Sequence, residues 1–214
     1  MTAGEIISEP LLIHKYSKNK YERDAKVKEL LELVGISNST KDRFPHEFSG
    51  GQKQRLGIAR ALALSPDFIV CDEPVSSLDV SVQAQIINLL MEIQQQFNIS
   101  FLFISHDLSV VKYISHRVAV MYLGKIVELI ESNKLYTHAK HPYTKVLLSA
   151  IPVLDPWKSQ KKISFKGETP SFLNLPSGCS FNPRCSLVSE KCRQFTPELE
   201  EFNVNHFVSC FNAK

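Results

Sequence analysis

The chain has 214 residues, and its 25 lysines and arginines nearly balance its 22 aspartates and glutamates. That balance argues against a general electrostatic affinity for nucleic acid, and the composition is that of an ordinary globular chain. No apolar run approaches the ~20 residues a membrane-spanning helix needs. The opening MTAGEIISEP has neither the charged n-region nor the apolar h-region of a signal peptide, so a cytosolic chain is expected, in which five cysteines stay reduced unless they hold a metal.

Taken in order, residues 1–20 read as a short helical start broken at Pro10. Residues 21–34 read as an amphipathic helix, with Val27, Leu30, Leu31 and Val34 at i, i+3, i+4 and i+7, stopped by Gly35. A polar stretch with Pro45 reads as a loop. The next helix covers about 50–64, with Leu56, Ala59, Leu62 and Ala63 inward and Arg55 and Arg60 directed to solvent or a partner. Phe68 to Cys71 is short, apolar and unalternating, the pattern of a buried parallel strand. A long helix follows over about 80–97, then a second apolar strand from Ile99 to Ser105, then a short helix from Leu108 to Ile114. Arg117–Tyr122 and Lys125–Glu131, joined by Leu123-Gly124, read as a strand pair with a tight turn. The strand–helix–strand alternation in the centre predicts an α/β sheet. A helix is expected to begin at Pro142, where proline suits the first turn. Beyond Pro152 the chain is rich in Pro, Ser, Lys and Cys, and reads as a small loop-rich appendage that needs a staple.

Four stretches carry chemistry. In FSGGQ, Ser49 is placed as an N-cap, with Gly50, Gly51 and Gln52 opening the helix; small residues at a helix N-terminus suit an approaching anion. FIVCDE ends a strand on two adjacent acids, Asp72 and Glu73, which suits metal-assisted phosphate chemistry. SSLD ends on Asp79, and ISHD places His106 just after the second strand. Each has a bland alternative: a glycine-serine cap, a solvated acid pair, a helix N-cap at Asp79, a structural histidine.

These four stretches, in this order, resemble the signature motif, the Walker B motif with its catalytic glutamate, the D-loop and the switch histidine of the ATP-binding cassette (ABC) ATPases. The resemblance implies that Asp72 holds Mg²⁺, that Glu73 polarises the attacking water, and that His106 contacts the γ-phosphate. It also implies that Ser49, Gly50, Gly51 and Gln52 reach a nucleotide held mainly by another cassette, with Asp79 at the seam. The family's P-loop, G-x-x-x-x-G-K-[ST], is not in the sequence. The only Gly-Lys pair is Gly124-Lys125, with Ala119 where the first glycine would stand, and no glutamine precedes Gln52 to serve as a Q-loop. The resemblance therefore covers only the C-terminal part of the family's domain. Helices such as 80–97 are expected to expose an apolar face, the chain alone is expected to hydrolyse ATP negligibly, and stability is expected to need a second chain.

Cys71 reads as a core residue. Cys179, Cys185, Cys192 and Cys210 follow with spacings C-x5-C, C-x6-C and C-x17-C, which favour metal ligation over disulfides in a cytosolic chain without selecting zinc or iron–sulfur. HPYTKVLLSAIP, GETPS, LPSGC and RC resemble the C-terminal extension of oligopeptide and dipeptide importer ATPases. That resemblance implies a [4Fe–4S] cluster on these four cysteines, with zinc or unliganded thiols as alternatives.

The expected fold is α/β: the C-terminal part of a P-loop-type ABC ATPase domain with its helical subdomain, plus a loop-rich cysteine-containing extension. The expected divisions are 1–65 (helical subdomain with signature motif), 66–135 (core part with Walker B, D-loop and switch histidine) and 136–214 (extension). The expected function is that of a truncated ATP-binding subunit of an oligopeptide or dipeptide importer, using ATP and Mg²⁺ on the cytoplasmic face of the cell membrane. Its expected partners are a second ATPase subunit supplying a Walker A, membrane permease subunits and, indirectly, a peptide-binding protein, with no nucleic acid. The alternatives are an inactive remnant that pairs with another cassette, an importer of nickel or another small solute, a non-transport ABC ATPase, and an inert product of gene decay.

Overall fold

The computed structural model describes residues 1–16, 19–151, 170–171 and 173–213, so most of GETPS and the start of the expected appendage lie outside the described residues. The chain divides into two compact units, Met1–His106 and Asp107–Lys214.

The first unit begins with three helices. Helix α1 (Ala3–Ile13) is opened by a reciprocal capping box between Thr2 and Glu5 and runs through Pro10, which corrects the expected break. A proline near the last turn removes one hydrogen bond, and the C-terminal N–H groups are satisfied around it: His14 donates to Pro10 O and Tyr16 to Leu11 O. Helix α2 (Lys20–Leu33) buries Val27, Leu30 and Leu31, the stripe its spacing predicts, and Gly35 ends it at φ +70°. Helix α3 (Gly50–Leu62) packs Leu56, Ile58, Ala59 and Leu62 inward. Arg55, expected to face solvent or a partner, instead donates from Nη1 to Val34 O at 2.7 Å, tying α3 to the end of α2. Arg60 pairs with Glu9 of α1 at 2.7 Å.

Strand β1 (Phe68–Asp72) and strand β2 (Ser100–Ile104) pair in parallel, with Phe68 opposite Ser100 and Asp72 opposite Ile104. Helix α4 (Val80–Phe97) crosses between them, the connection parallel strands require. Its apolar face is covered: Ile86, Ile87, Leu89, Leu90 and Ile93 are buried, contrary to the expectation of an exposed helix face. The apolar surface lies instead on the strands. Phe68 and Val70 are each 55% exposed, Leu102 49% and Ile104 44%, all on one side of the pair, which corrects the expectation that β1 is buried. Only Cys71 of β1 is buried, as expected of a core cysteine, and burial pushes its thiol up to about 11.

The second unit begins with helix α5 (Leu108–Ile114), capped by the Asp107 carboxylate on the N–H groups of Ser109 and Val110. Strands β3 (Arg117–Tyr122) and β4 (Lys125–Glu131) form the predicted antiparallel pair, and Leu123 and Gly124 both take positive φ, as a two-residue hairpin turn demands. Alternation along β3 buries Val118, Val120 and Tyr122. Helix α6 (Leu135–His138) and helix α7 (Pro142–Ser149) follow. His141 caps α7 through Nδ1, which accepts from Tyr143 N at 3.1 Å. After helix α8 (Glu190–Gln194), strands β5 (Glu200–Asn203) and β6 (His206–Val208) complete a four-stranded sheet in the order β3-β4-β6-β5. Residues read from sequence as appendage are thus part of the sheet that begins at Arg117.

That sheet has a charged knot inside it. Glu128 of β4 is fully buried; its Oε1 accepts from Lys140 N and meets His206 Nε2, both at 2.7 Å, and its Oε2 accepts from His141 N at 3.1 Å. One carboxylate therefore joins β4, β6 and the start of α7. His141 sits deep beside it, and burial, opposed by the Glu128 charge, pulls its imidazole down to about 4. Phe181 seals the apolar side, edge-on to Tyr122 with ring centres 5.2 Å apart.

Candidate functional site

Asp72 closes β1, and Glu73 begins the turn that follows. Glu73 holds φ +44°, a left-handed conformation costly for a side chain with a Cβ. It is held there by its N–H, which donates to Ile104 O at 3.0 Å, and by Ser76, whose N and Oγ reach Glu73 O at 3.4 and 3.2 Å. His106, two residues past β2, meets the carboxylate: Nδ1 lies 3.1 Å from Glu73 Oε1. The parallel register that sets Asp72 opposite Ile104 brings the two strand ends, and hence these side chains, together. Both are exposed, His106 at 73% and Glu73 at 49%, so the contact adds little to stability and leaves both groups open to a ligand. Asp72 is exposed beside them.

The FSGGQ turn is built differently. Ser49 Oγ accepts from Gln52 N at 3.3 Å, and Gln52 Oε1 accepts from Ser49 N at 3.0 Å, a reciprocal box. Gly50 and Gly51 follow as the first residues of α3, and no acidic residue lies in its first turn. Their smallness has a second reason besides approach by an anion. A Cβ on Gly51 would stand 2.5 Å from Val82 Cγ1, and one on Gly50 3.2 Å from Leu78 Cδ2. The signature turn is thus pressed onto the SSLD turn and the first residues of α4. Asp79 is the N-cap of α4, as its alternative reading held, but its carboxylate makes no capping hydrogen bond. Gln83 carries out the bracing that sequence reasoning missed: Nε2 donates to Val75 O at 3.0 Å and Leu78 O at 2.9 Å, fixing the turn between Glu73 and Asp79. The only sequence signal for this was a glutamine one turn into an otherwise apolar helix.

The structure therefore brings Glu73 and His106 into contact, places Asp72 next to them, and locks Ser49, Gly50, Gly51 and Gln52 against the turn that carries Asp79.

In the second unit, Cys179, Cys185, Cys192 and Cys210 are free thiols. Burial raises the thiols of Cys179, Cys185 and Cys210, and their charges also act on one another: Cys185 feels Cys210, Cys179 and Cys192, and Cys210 feels Cys179 and Cys192. Among the described residues, however, no group of three or more His, Cys, Asp or Glu is arranged to hold a metal ion. The four thiols are neighbours, not a closed ligand set. Backbone N–H groups oppose this burial without overcoming it. The Cys179 sulfur accepts from the backbone of Phe181 and Asn182, Cys185 Sγ accepts from Leu187 N at 3.3 Å, and the Cys210 sulfur accepts from the backbone of Asn212. Cys179 and Cys185 also pack against the core that contains Tyr122, whose buried hydroxyl has no partner among the described residues.

Comparison with known proteins agrees with these motifs. Residues 3–76 match the family described as "ABC transporter", and residues 127–192 match "Oligopeptide/dipeptide transporter, C-terminal region". Similar proteins include the putative oligopeptide transport ATP-binding protein YkfD and the oligopeptide transport ATP-binding protein AppF of Bacillus subtilis. Each is 53% identical, over 98% of this chain and 64% of the relative. The dipeptide transport ATP-binding protein DppF of Haemophilus influenzae is 49% identical over the same shares. The chain thus spans 64% of the length of these curated relatives. Among solved structures, the ATP-binding cassette MJ0796, a dimer in a post-hydrolysis state bound to ADP and Pi, is 29% identical with a TM-score of 0.55, over 62% of this chain and 57% of that one. The cbiO1 component of the cbiONQ ABC transporter complex from Clostridium perfringens is 27% identical with a TM-score of 0.57, over 63% and 53%. With its motifs in order and its α/β fold, the chain is similar over nearly its whole length to ATP-binding proteins of ABC transporters, and it carries a match to the oligopeptide/dipeptide transporter C-terminal region.

Proposed function

We propose that this chain is the signature-bearing part of the ATP-binding subunit of a peptide-importing ABC transporter, acting at nucleotide sites shared with a second cassette. The observation that carries this reading is the Glu73–His106 contact of 3.1 Å beside an exposed Asp72 at the carboxyl ends of two parallel strands. The Glu73 carboxylate is placed to polarise a water at the γ-phosphate, and His106 to orient that carboxylate and touch the phosphate. Asp72 has the hard, exposed oxygens suited to Mg²⁺, which when bound neutralises phosphate charge. Ser49, Gly50, Gly51 and Gln52 offer the open N-terminus of α3 to a nucleotide gripped by a second cassette, and Asp79 faces that cassette. The dimeric cassette bound to ADP and Pi supports a site shared between two subunits.

In this reading residues 1–65 serve as the helical subdomain, 66–135 as the chemical core and 136–214 as the peptide-importer extension. The subunit works at the cytoplasmic face of the membrane with permease subunits and, through them, a peptide-binding protein; among the described residues no helix is long and apolar enough to cross a membrane. The [4Fe–4S] cluster expected from the tail sequence has no closed ligand set among the described residues, and no step is routed through it.

The test is capture by an intact cassette. Purified chain is mixed with full-length AppF, with and without Mg²⁺-ATP. Capture should strengthen severalfold with ATP and be lost in the Ser49→Arg variant, while the chain alone turns over no ATP. ATP-independent capture, or metal-dependent hydrolysis by the purified chain alone, overturns the reading.

A further inference from the structure

The turn from Glu73 to Asp79 holds itself weakly. Its internal bonds are long: Ser76 N and Oγ reach Glu73 O at 3.4 and 3.2 Å, and Leu78 N reaches Val75 O at 3.2 Å. At its far end the Asp79 carboxylate makes no capping hydrogen bond. Yet Glu73 sits at φ +44°, a conformation that persists only where the surroundings over-determine it. The shorter side-chain bonds onto this turn come from half-buried Gln83, whose Nε2 donates to Leu78 O at 2.9 Å and to Val75 O at 3.0 Å. Helical side chains lean toward the N-terminus, so an amide at this place in α4 falls back over the turn that precedes the helix. Its nitrogen carries two hydrogens, one for each carbonyl. The same place meets the FSGGQ turn. Val82, next to Gln83, is the residue that leaves no room for a Cβ on Gly51, at 2.5 Å, and Leu78, whose carbonyl Gln83 holds, lies against Gly50 at 3.2 Å from its Cβ position.

We propose that Gln83 is a positioning residue of the nucleotide site: it sets the turn that carries Glu73 at one end and Asp79 at the other, and keeps that turn seated on Gly50 and Gly51. This rests on the function proposed above and goes beyond it by naming what holds the two turns in register. The role demands a donor of glutamine's length. A glutamate of the same shape sets carboxylate oxygens against two carbonyl oxygens and pushes the turn away; once protonated, it regains one donor. Methionine fills the same space and donates nothing. A side chain that served only as packing under the turn would therefore be replaced by methionine without loss, whereas a positioning donor would not.

The test uses the 214-residue chain with full-length AppF and Mg²⁺-ATP, at about pH 8 and about pH 5, on either side of which a carboxyl held between carbonyls changes charge. The AppF concentration for half-maximal capture is read relative to wild type at each pH. Amide hydrogen exchange of residues 73–79 is read in the chain alone. Q83E should need roughly 10-fold more AppF at the higher pH, the loss of two ordinary hydrogen bonds, and recover part of that at the lower one. Gln83→Met should be weakened at both. In both variants Ser76 and Leu78 should exchange faster, while Val70 and Cys71 in β1 keep the wild-type rate. Should Q83E fail to fold, Gln83→Met carries both readouts without a new charge. Wild-type capture in the variants, whether or not exchange quickens, would overturn the role of Gln83 and leave the proposed function standing. A wild-type chain whose capture ATP does not strengthen would sink the proposed function and this role with it.

Discussion

The two sheets of this molecule treat apolar residues in opposite ways. In the second unit the antiparallel sheet alternates, turning Val118, Val120 and Tyr122 into a core that Phe181 closes. In the first unit the parallel pair turns Phe68, Val70, Leu102 and Ile104 outward. Parallel sheets are normally covered on both faces, and two strands are fewer than a sheet needs to stand by itself. The difference teaches that the second unit covers the apolar side of its sheet with its own residues, whereas the first leaves one side of its strand pair open among the described residues. Stability should therefore reside in the second unit and partner dependence in the first.

The sharpest way to break that contrast is Phe181→Ala. Removing this 2%-exposed ring should cost about 3–5 kcal/mol and lower the melting temperature of the second unit, read by calorimetry. Glu128→Leu comes next. It leaves His206 and the N–H groups of Lys140 and His141 without their acceptor, and should cost about 3 kcal/mol. An unchanged unfolding midpoint would show that the knot is not a keystone. A smaller effect is expected from pH. His141 is depressed from 6.5 to about 4, so the folded state disfavours its charged form. Its contribution is present in full above pH 6.5 and declines as pH falls from 6.5 toward 4, because the unfolded chain then binds the extra proton. Denaturant titrations at several pH values should show that slope, flattened in His141→Asn. In the first unit, Gly51→Ala should cost about 1–3 kcal/mol by forcing Val82 away from α3. The smallest effect belongs to the outward face: Val70→Thr with Leu102→Thr should change stability by about 0.5 kcal/mol or less while raising solubility. A large loss there would mean that this face is covered in solution.

Much of this was readable in the residues. The stripe Val27, Leu30, Leu31 and the Leu123-Gly124 turn gave α2 and the β3–β4 hairpin because local spacing and turn chemistry decide both. Pro10 misled because its missing N–H matters less in a helix whose end is satisfied by other bonds. Exposure of β1 was illegible because an apolar, unalternating run looks the same whether or not neighbours cover it. Strand β6 was missed because three residues carry no period; its place depends on Glu128, 78 positions away from His206. For the site, order of motifs pointed to Asp72, Glu73 and His106, but the Glu73–His106 contact depends on the register of two strands 27 or more residues apart. Gln83 acts on backbone atoms, so no motif announces it.

The twist of backbone at Glu73 has one last implication, for anyone who would improve this protein by design. Glycine rests at φ +44° without penalty, and asparagine nearly so, whereas glutamate gives up about 1 kcal/mol to sit there. A screen for thermal hardiness would thus reward Glu73→Gly or Glu73→Asn and, in the same stroke, erase the carboxylate. Under the proposed function, sturdiness and chemistry are opposed at this one position.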